Sequence, residues 1–338
     1  MREFKRTKEF ARNKKLESLL KQINGILGPV EERVIDNYRM PKYPVVLIVG
    51  APRSGSTLMM QWLAQTGRFA YPTNLLSRFY GAPYLGALIQ RLLTDPEFDF
   101  NNEFFDFSSE MSFYSDLGKT RGALAPNEFW YFWRRFFPYG EIQYLDEESL
   151  AKVDAVRFVA ELAAIESVFD KPFAMKGLII NWNIPYVSNL LDQILFIYIT
   201  RHPLYNVQSL LEARVQYYGD QRGWYSFKPK EYEELKKLDP LEQVAGQVYF
   251  TNKSIDQGLG EIDRARWLQV SYEDFCESPG TVFRQILEKL ENLGMEIGNW
   301  EYEGPENFQP TNQVRLPEEE CREIIAAYKR FSGTDLTI

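Results

Sequence analysis

The chain has 338 residues with 39 Lys and Arg against 47 Asp and Glu, a formal charge of −8, and so acidic a balance excludes a protein that coats DNA, RNA or another polyanion. Hydrophobic residues at 45% and charged residues at 25% exclude disordered, collagenous and coiled-coil chains and leave a globular protein able to bury a large core. Two cysteines, Cys276 and Cys321, and one histidine, His202, supply neither a disulfide framework nor a site of several His ligands, and no metal is expected.

The first 21 residues carry eight basic and three acidic side chains, so this arm is +5 and the remainder is −13. It is too charged for a secretory signal, and no apolar run approaches the roughly 18–20 residues of a spanning helix. The expectation is a soluble, cytoplasmic protein. Leu16, Leu19, Leu20, Ile23, Ile26 and Leu27 recur at helical spacing, and Gly28-Pro29 is expected to end that helix. Residues 1–40 thus read as a basic helical extension. Such a helix can touch a membrane surface or a partner, but the favoured expectation is that it packs on its own domain.

Val45–Val49 reads as a buried strand and 57–66 as the helix after it, closed by Gly67. Residues 70–150 are aromatic-rich without a strand period and read as an inserted, mainly helical roof. Then come a short strand at 173–175, a helix over 185–193, a strand over 194–199 and a helix through Arg214. A helix at 241–255, a strand at 267–270 and a helix over 279–293 follow. Strand and helix alternate. The expected fold for 41–338 is one α/β domain, a three-layer sandwich with a central, mostly parallel sheet whose ligand lies beyond the C-terminal strand ends.

After the first strand stands Gly50-Ala-Pro-Arg-Ser-Gly-Ser-Thr57, a strand-to-helix loop where backbone N–H groups and the helix dipole converge on an anion. Its glycines and Thr57 fit the nucleotide triphosphatase loop, but Ser56 occupies the position of the Lys that reaches the outer phosphates. Pro52, Arg53, Ser54, Gly55, Ser56 and Thr57 instead resemble, one for one, the 5′-phosphosulfate loop of the sulfotransferases that use 3′-phosphoadenosine 5′-phosphosulfate (PAPS). A second segment extends the resemblance. Strand 194–199 ends before Arg201, and Ser209 follows in the next helix, so a guanidinium fork and a hydroxyl can meet on one phosphate. Their eight-residue separation is similar to the family's 3′-phosphate motif. Tyr272, in Val-Ser-Tyr-Glu-Asp-Phe, resembles a tyrosine that lies near the nucleotide in the family. Asn312, in Phe-Gln-Pro-Thr-Asn, resembles part of a K-P-x-N loop that covers it, although Gln309 replaces the Lys. His202 falls at a variable position of the second motif and reads as a solvated or capping residue.

The resemblance implies transfer of a sulfuryl group from PAPS to an acceptor hydroxyl, leaving 3′-phosphoadenosine 5′-phosphate (PAP), without a metal. It assigns the leaving 5′-phosphate to the loop, the 3′-phosphate to Arg201 and Ser209, and charge stabilisation to Lys176, which ends the short strand at 173–175, together with Arg53. The carboxylate or His that several branches place about twenty residues after the loop Arg is missing from Tyr71-Pro-Thr-Asn-Leu-Leu-Ser. The nearest carboxylates lie in the roof, Asp106, Glu110, Asp116 and Glu128; Glu128 is the preferred base, expected in the first turn of a helix beside the aromatic run 129–137. Those aromatics favour a glycan or a small hydroxylated metabolite as acceptor, and the acidic surface disfavours a densely sulfated polymer. The alternatives are a non-catalytic nucleotide-binding protein of the same fold and an atypical P-loop kinase. Oligomeric state has no sequence signal.

Overall fold

The computed structural model describes residues 4–99 and 112–336. Its strands are β1 (Val45–Val49), β2 (Ser115–Asp116), β3 (Lys119–Thr120), β4 (Ala174–Lys176), β5 (Ile194–Thr200) and β6 (Trp267–Ser271). The longer helices are α1 (Lys14–Ile35), α2 (Ser56–Gln65), α3 (Pro83–Thr94), α4 (Trp130–Phe136), α5 (Glu147–Leu150), α6 (Ala155–Phe169) and α7 (Ile184–Leu190). They continue with α8 (Pro203–Tyr218), α9 (Tyr232–Leu235), α10 (Pro240–Gly260), α11 (Tyr272–Glu277), α12 (Pro279–Asn292) and α13 (Glu318–Ser332).

β1, β4, β5 and β6 form one parallel sheet in the order β4-β1-β5-β6. The expected α/β sandwich is therefore present. Side chains of a strand alternate between faces, and the core divides accordingly. Val45, Leu47, Val49, Met175, Phe196 and Tyr198 pack under α4, α6 and α7, while Val46, Ile48, Leu195, Ile197 and Ile199 pack under α2, α11 and α12. A third cluster joins α8, α10 and α13 through Leu204, Val207, Leu211, Val244, Val248 and Ile324. No helix among the described residues is long and apolar enough to cross a membrane.

One local expectation is overturned. α1 does not stop at Gly28-Pro29 but runs through Pro29 to Ile35. An interior proline removes one helical hydrogen bond and costs on the order of 3 kcal/mol, so tertiary contacts on either side must outweigh it. Asn24 donates to the Arg78 carbonyl at 2.8 Å and accepts from the Gly81 N–H at 2.6 Å. Glu31, two residues beyond the proline, accepts the N–H groups of Tyr84 at 2.6 Å and Leu85 at 3.0 Å, closing the first turn of α3. The roof, in turn, is not only helical: β2 and β3 pair as an antiparallel hairpin, Ser115 opposite Thr120 and Asp116 opposite Lys119.

Candidate active site

Each strand of the sheet delivers one candidate residue at its C-terminal end. Lys176 is the last residue of β4, the Gly50–Thr57 loop follows β1, Arg201 follows β5, and Tyr272 follows β6. Neighbouring strands lie about 4.8 Å apart. The sheet order therefore arranges Lys176, loop, Arg201 and Tyr272 along a line of about 14 Å.

The loop is held by side chains from two other segments. Asn181 donates to the Gly50 carbonyl at 2.9 Å and accepts its N–H at 3.4 Å, and Asn206 of α8 donates to the Pro52 carbonyl at 2.6 Å. Arg53 is left-handed, with φ of 69°, a conformation costing about 1–2 kcal/mol in a residue with a side chain. Gly55, the N-cap of α2, has φ of 100°. A Cβ there would lie 2.4 Å from Cδ2 of Tyr272, so only glycine lets the tyrosine that follows β6 pack on the loop. Behind the loop the first N–H groups of α2 lack helical partners by construction, and the buried Ser54 hydroxyl has no hydrogen-bond partner among the described residues.

Arg201 is only 7% exposed. Its Nε donates to Asn312 Oδ1 at 2.9 Å, one terminal nitrogen to the Arg53 carbonyl at 3.1 Å, and the other to Thr311 at 3.0–3.1 Å. The Tyr272 ring lies 4.7 Å beneath the guanidinium. Asn312 is itself oriented by donating to Glu273 Oε1 at 2.5 Å. The loop around 308–315 therefore does cover Arg201. Arg201 and Ser209, expected on one phosphate, are joined through Arg53, whose Nε donates to Ser209 Oγ at 3.2 Å. Neither Arg53 nor Arg201 makes an ion pair among the described residues, and burial works against the charge on Arg201. Two cations without an ion pair among the described residues, a buried orphan hydroxyl and a helix N-terminus form a candidate anion site. His202 contributes its backbone N–H to Glu273, at 3.1 Å.

On the other side of the loop, Lys176 Nζ donates to Thr57 Oγ1 at 3.0 Å and to Glu128 Oε1, forming an ion pair. Trp130 donates its indole N–H to the other oxygen of Glu128, and Trp133 donates to the Lys176 carbonyl at 3.1 Å. Glu128 is not in a helical first turn, as the sequence suggested. Asn127 Oδ1 accepts the Phe129 N–H at 2.9 Å, Phe129 turns left-handed with φ of 54°, and α4 starts only at Trp130. This local turn delivers Glu128 to Lys176. Of the other carboxylates, Asp116 accepts from Gln216 at 2.7 Å, while Asp106 and Glu110 lie outside the described residues. Trp130 and Trp133 border the cavity beside Lys176; Phe129 and Phe137, expected with them, are buried core.

Asn181, Asn206 and Glu273 were not singled out in the sequence. Each acts on backbone far away in the chain, so no local spacing betrays it.

The sequence model of the sulfotransferase family matches residues 44–293. The chain belongs to the sulfotransferase family. Among solved structures it is similar to the sulfotransferase STF9 from Mycobacterium avium, with 15% identity and a TM-score of 0.53, covering 98% of this chain and 88% of that one. Sulfotransferase STF1 from Mycobacterium tuberculosis aligns at 13% identity and a TM-score of 0.49, covering 94% and 82%. No curated protein matches. The family match contains the loop, Lys176, Arg201, Ser209 and Tyr272 of this sulfotransferase family member, while Asn312 lies beyond it.

Proposed function

We propose that the protein transfers a sulfuryl group from PAPS to a hydroxyl of a glycan or small hydroxylated metabolite. One observation carries the reading: Lys176 bridges Thr57 of the anion loop and Glu128 of the roof, so one cation connects the candidate leaving-group and proton-accepting sides. When bound, PAPS supplies an activated sulfuryl group on a phosphosulfate anhydride. Arg53, Ser54 and the N–H groups of 55–57 would hold the 5′-phosphate, and Arg201, with Ser209, Tyr272 and Asn312 around it, the 3′-phosphate. Both oxygens of Glu128 are engaged by Lys176 and Trp130. In our reading Lys176 turns from Glu128 to the bridging oxygen of the donor. That stabilises charge on the leaving phosphate and frees Glu128 Oε1 for the acceptor's hydroxyl proton. As the sulfur–oxygen bond to the phosphate breaks, one to the acceptor oxygen forms in line, and the proton passes to Glu128. The Trp130 and Phe227 rings, stacked with centroids 5.2 Å apart, give the acceptor a flat apolar wall. A cytoplasmic setting suits two buried, unpaired cysteines.

Thermal unfolding with PAP, beside ATP with and without Mg²⁺, tests the donor on wild type and Arg201→Ala. A ligand at a hundred times its Kd stabilises the native state by about 2.7 kcal/mol. Stabilisation by PAP, lost in Arg201→Ala, is the expected result. Stabilisation by Mg·ATP alone would overturn it in favour of a kinase.

A further inference from the structure

At the reacting position Lys176 is buried, and Glu128 beside it is only partly exposed. Glu128, Trp130, Trp133, Lys176, Leu178 and Phe227 border a cavity of about 10 Å³, the space of roughly one water molecule. Over Lys176 lies the turn of the β2–β3 hairpin. A Cβ on Gly118 would stand 3.3 Å from Glu128 Oε1, 3.5 Å from Thr57 Oγ1 and 3.9 Å from Lys176 Nζ. Leu117 and Gly118 are both left-handed, with φ of 46° and 84°, as a two-residue hairpin turn requires.

The two ends of the hairpin are fastened to different parts of the molecule. At its base, Gln61 of α2 donates to the Ser112 carbonyl at 2.8 Å and the Tyr114 carbonyl at 3.2 Å. Asn74 donates to Thr120 Oγ1 at 3.1 Å, and that hydroxyl donates to the Pro126 carbonyl at 2.7 Å. The tip leans the other way, onto the end of α8 and the chain before α1. Gln216 donates to Asp116 at 2.7 Å, and the Tyr225 hydroxyl donates to the Leu117 carbonyl at 3.2 Å. The Lys119 ammonium sits 4.7 Å from the centroid of the Phe10 ring.

Phe10 belongs to a strap, residues 4–13, which is itself tied to α8. The Thr7 N–H donates to the Tyr217 carbonyl at 2.9 Å and its hydroxyl to the Gln216 carbonyl at 3.0 Å. Phe10 is 3% exposed, its ring 5.1 Å from that of Tyr217.

We propose that the hairpin over 115–120 is the gate through which an acceptor reaches Lys176 and Glu128, and that the strap over 4–13 is its latch. A two-pair ladder has little stability of its own, so the tip contacts decide how often it opens. Closed, the gate covers Lys176; open, it admits an acceptor to Lys176 and Glu128. The acceptor's part rests on the sulfotransferase reading above, whereas the movement of the gate does not.

The test is the rate at which Lys176, 6% exposed, is acetylated by N-acetoxysuccinimide in the full chain, read by mass spectrometry beside the exposed Lys14 and Lys15. Gln216→Glu places a like charge opposite Asp116 on an exposed position, and Phe10→Ala removes the strap's contact with Lys119. Losing one such contact is expected to raise the Lys176 rate and the deuterium exchange of 112–120 about five- to tenfold. Lys14 and Lys15 should not change. A wild-type Lys176 that reacts as fast as Lys14 refutes the gate, as does an unchanged rate in Gln216→Glu. Faster labelling in Gln216→Glu with none in Phe10→Ala keeps the gate and overturns the strap as latch. PAP binding is measured on the same proteins: its absence throughout sinks the donor reading and leaves the labelling to decide the gate.

Discussion

Replacing Glu128 by Gln tests the assignment of the base most directly, because it removes the charge and keeps the shape. Glu128 is about 29% exposed in its side chain and Lys176 about 6%, so the pair is neither a surface bridge nor a fully buried one. Gln has a single carbonyl oxygen, so it can accept from Lys176 or from Trp130 but not from both where they now stand, and it cannot take a proton. Loss of a general base lowers kcat by roughly 10²–10⁴, or about 3–5.5 kcal/mol of activation free energy. Donor affinity should move the other way. Two unit charges 4 Å apart interact by about 4 kcal/mol at an effective dielectric of 20, and the partial exposure of Glu128 reduces this to about 1–1.5 kcal/mol. Lys176, no longer neutralised, should then bind PAP about five- to tenfold more tightly. Calorimetric titration of PAP and steady-state kinetics with a hydroxyl acceptor measure both quantities. An unchanged kcat would remove Glu128 from the chemistry. Parallel losses of kcat and PAP affinity would mean that the ion pair merely holds Lys176 in place.

Gly55→Ala places a Cβ into the Tyr272 ring at a left-handed φ of 100°. It should destabilise the fold by at least about 1–2 kcal/mol and weaken PAP binding by shifting the ring beneath Arg201; urea unfolding and calorimetry measure the two effects. Stability should also fall as pH rises. Burial raises the Glu31 and Glu166 carboxyls from 4.5 to about 7, despite two backbone N–H donors on each. Between those values the folded state binds more protons than the unfolded one. Their contribution, full below pH 4.5, is thus lost through about pH 7, by at most about 3 kcal/mol per group. Urea unfolding from pH 4.5 to 8 should show this fall, and it should be much shallower in the Glu31→Gln/Glu166→Gln double variant.

The parts of this fold that could be read from sequence were those whose signal is local and uninterrupted. Val45–Val49 and Ile194–Thr200 are apolar runs because both faces of a parallel strand are covered, and the anion loop has a fixed spacing between its glycines. What escaped depended on distant partners. Pro29 marked a helix end until Glu31 and Asn24 found backbone groups near α3. The hairpin has two residues per strand, too short for any alternation, and its Leu117-Gly118 turn lacks the Asn-Gly or Asp-Gly pair that announces such turns. α6 is apolar nearly all round, buried from Phe158 to Glu166, and so has no polar face to reveal its period. Glu128, the expected base, was misplaced in structure, because nothing in Asn-Glu-Phe-Trp declares a left-handed Phe129.

β1 and β4 are neighbours in the sheet, Val46 opposite Ala174, yet the chain leaves the first and rejoins at the second only after residues 50–173. The hairpin, Glu128 and Trp130 all hang in that excursion, while Arg201, Ser209 and Tyr272 lie after it. Closing a loop costs only about 0.6 kcal/mol more for each doubling of its length. The part of that excursion beyond α2 can therefore lengthen or shorten while the loop after β1 and the strands on either side keep their register. The architecture lets that excursion diverge among descendants of one chain without disturbing the sheet that carries Lys176 and leads into Arg201 and Tyr272.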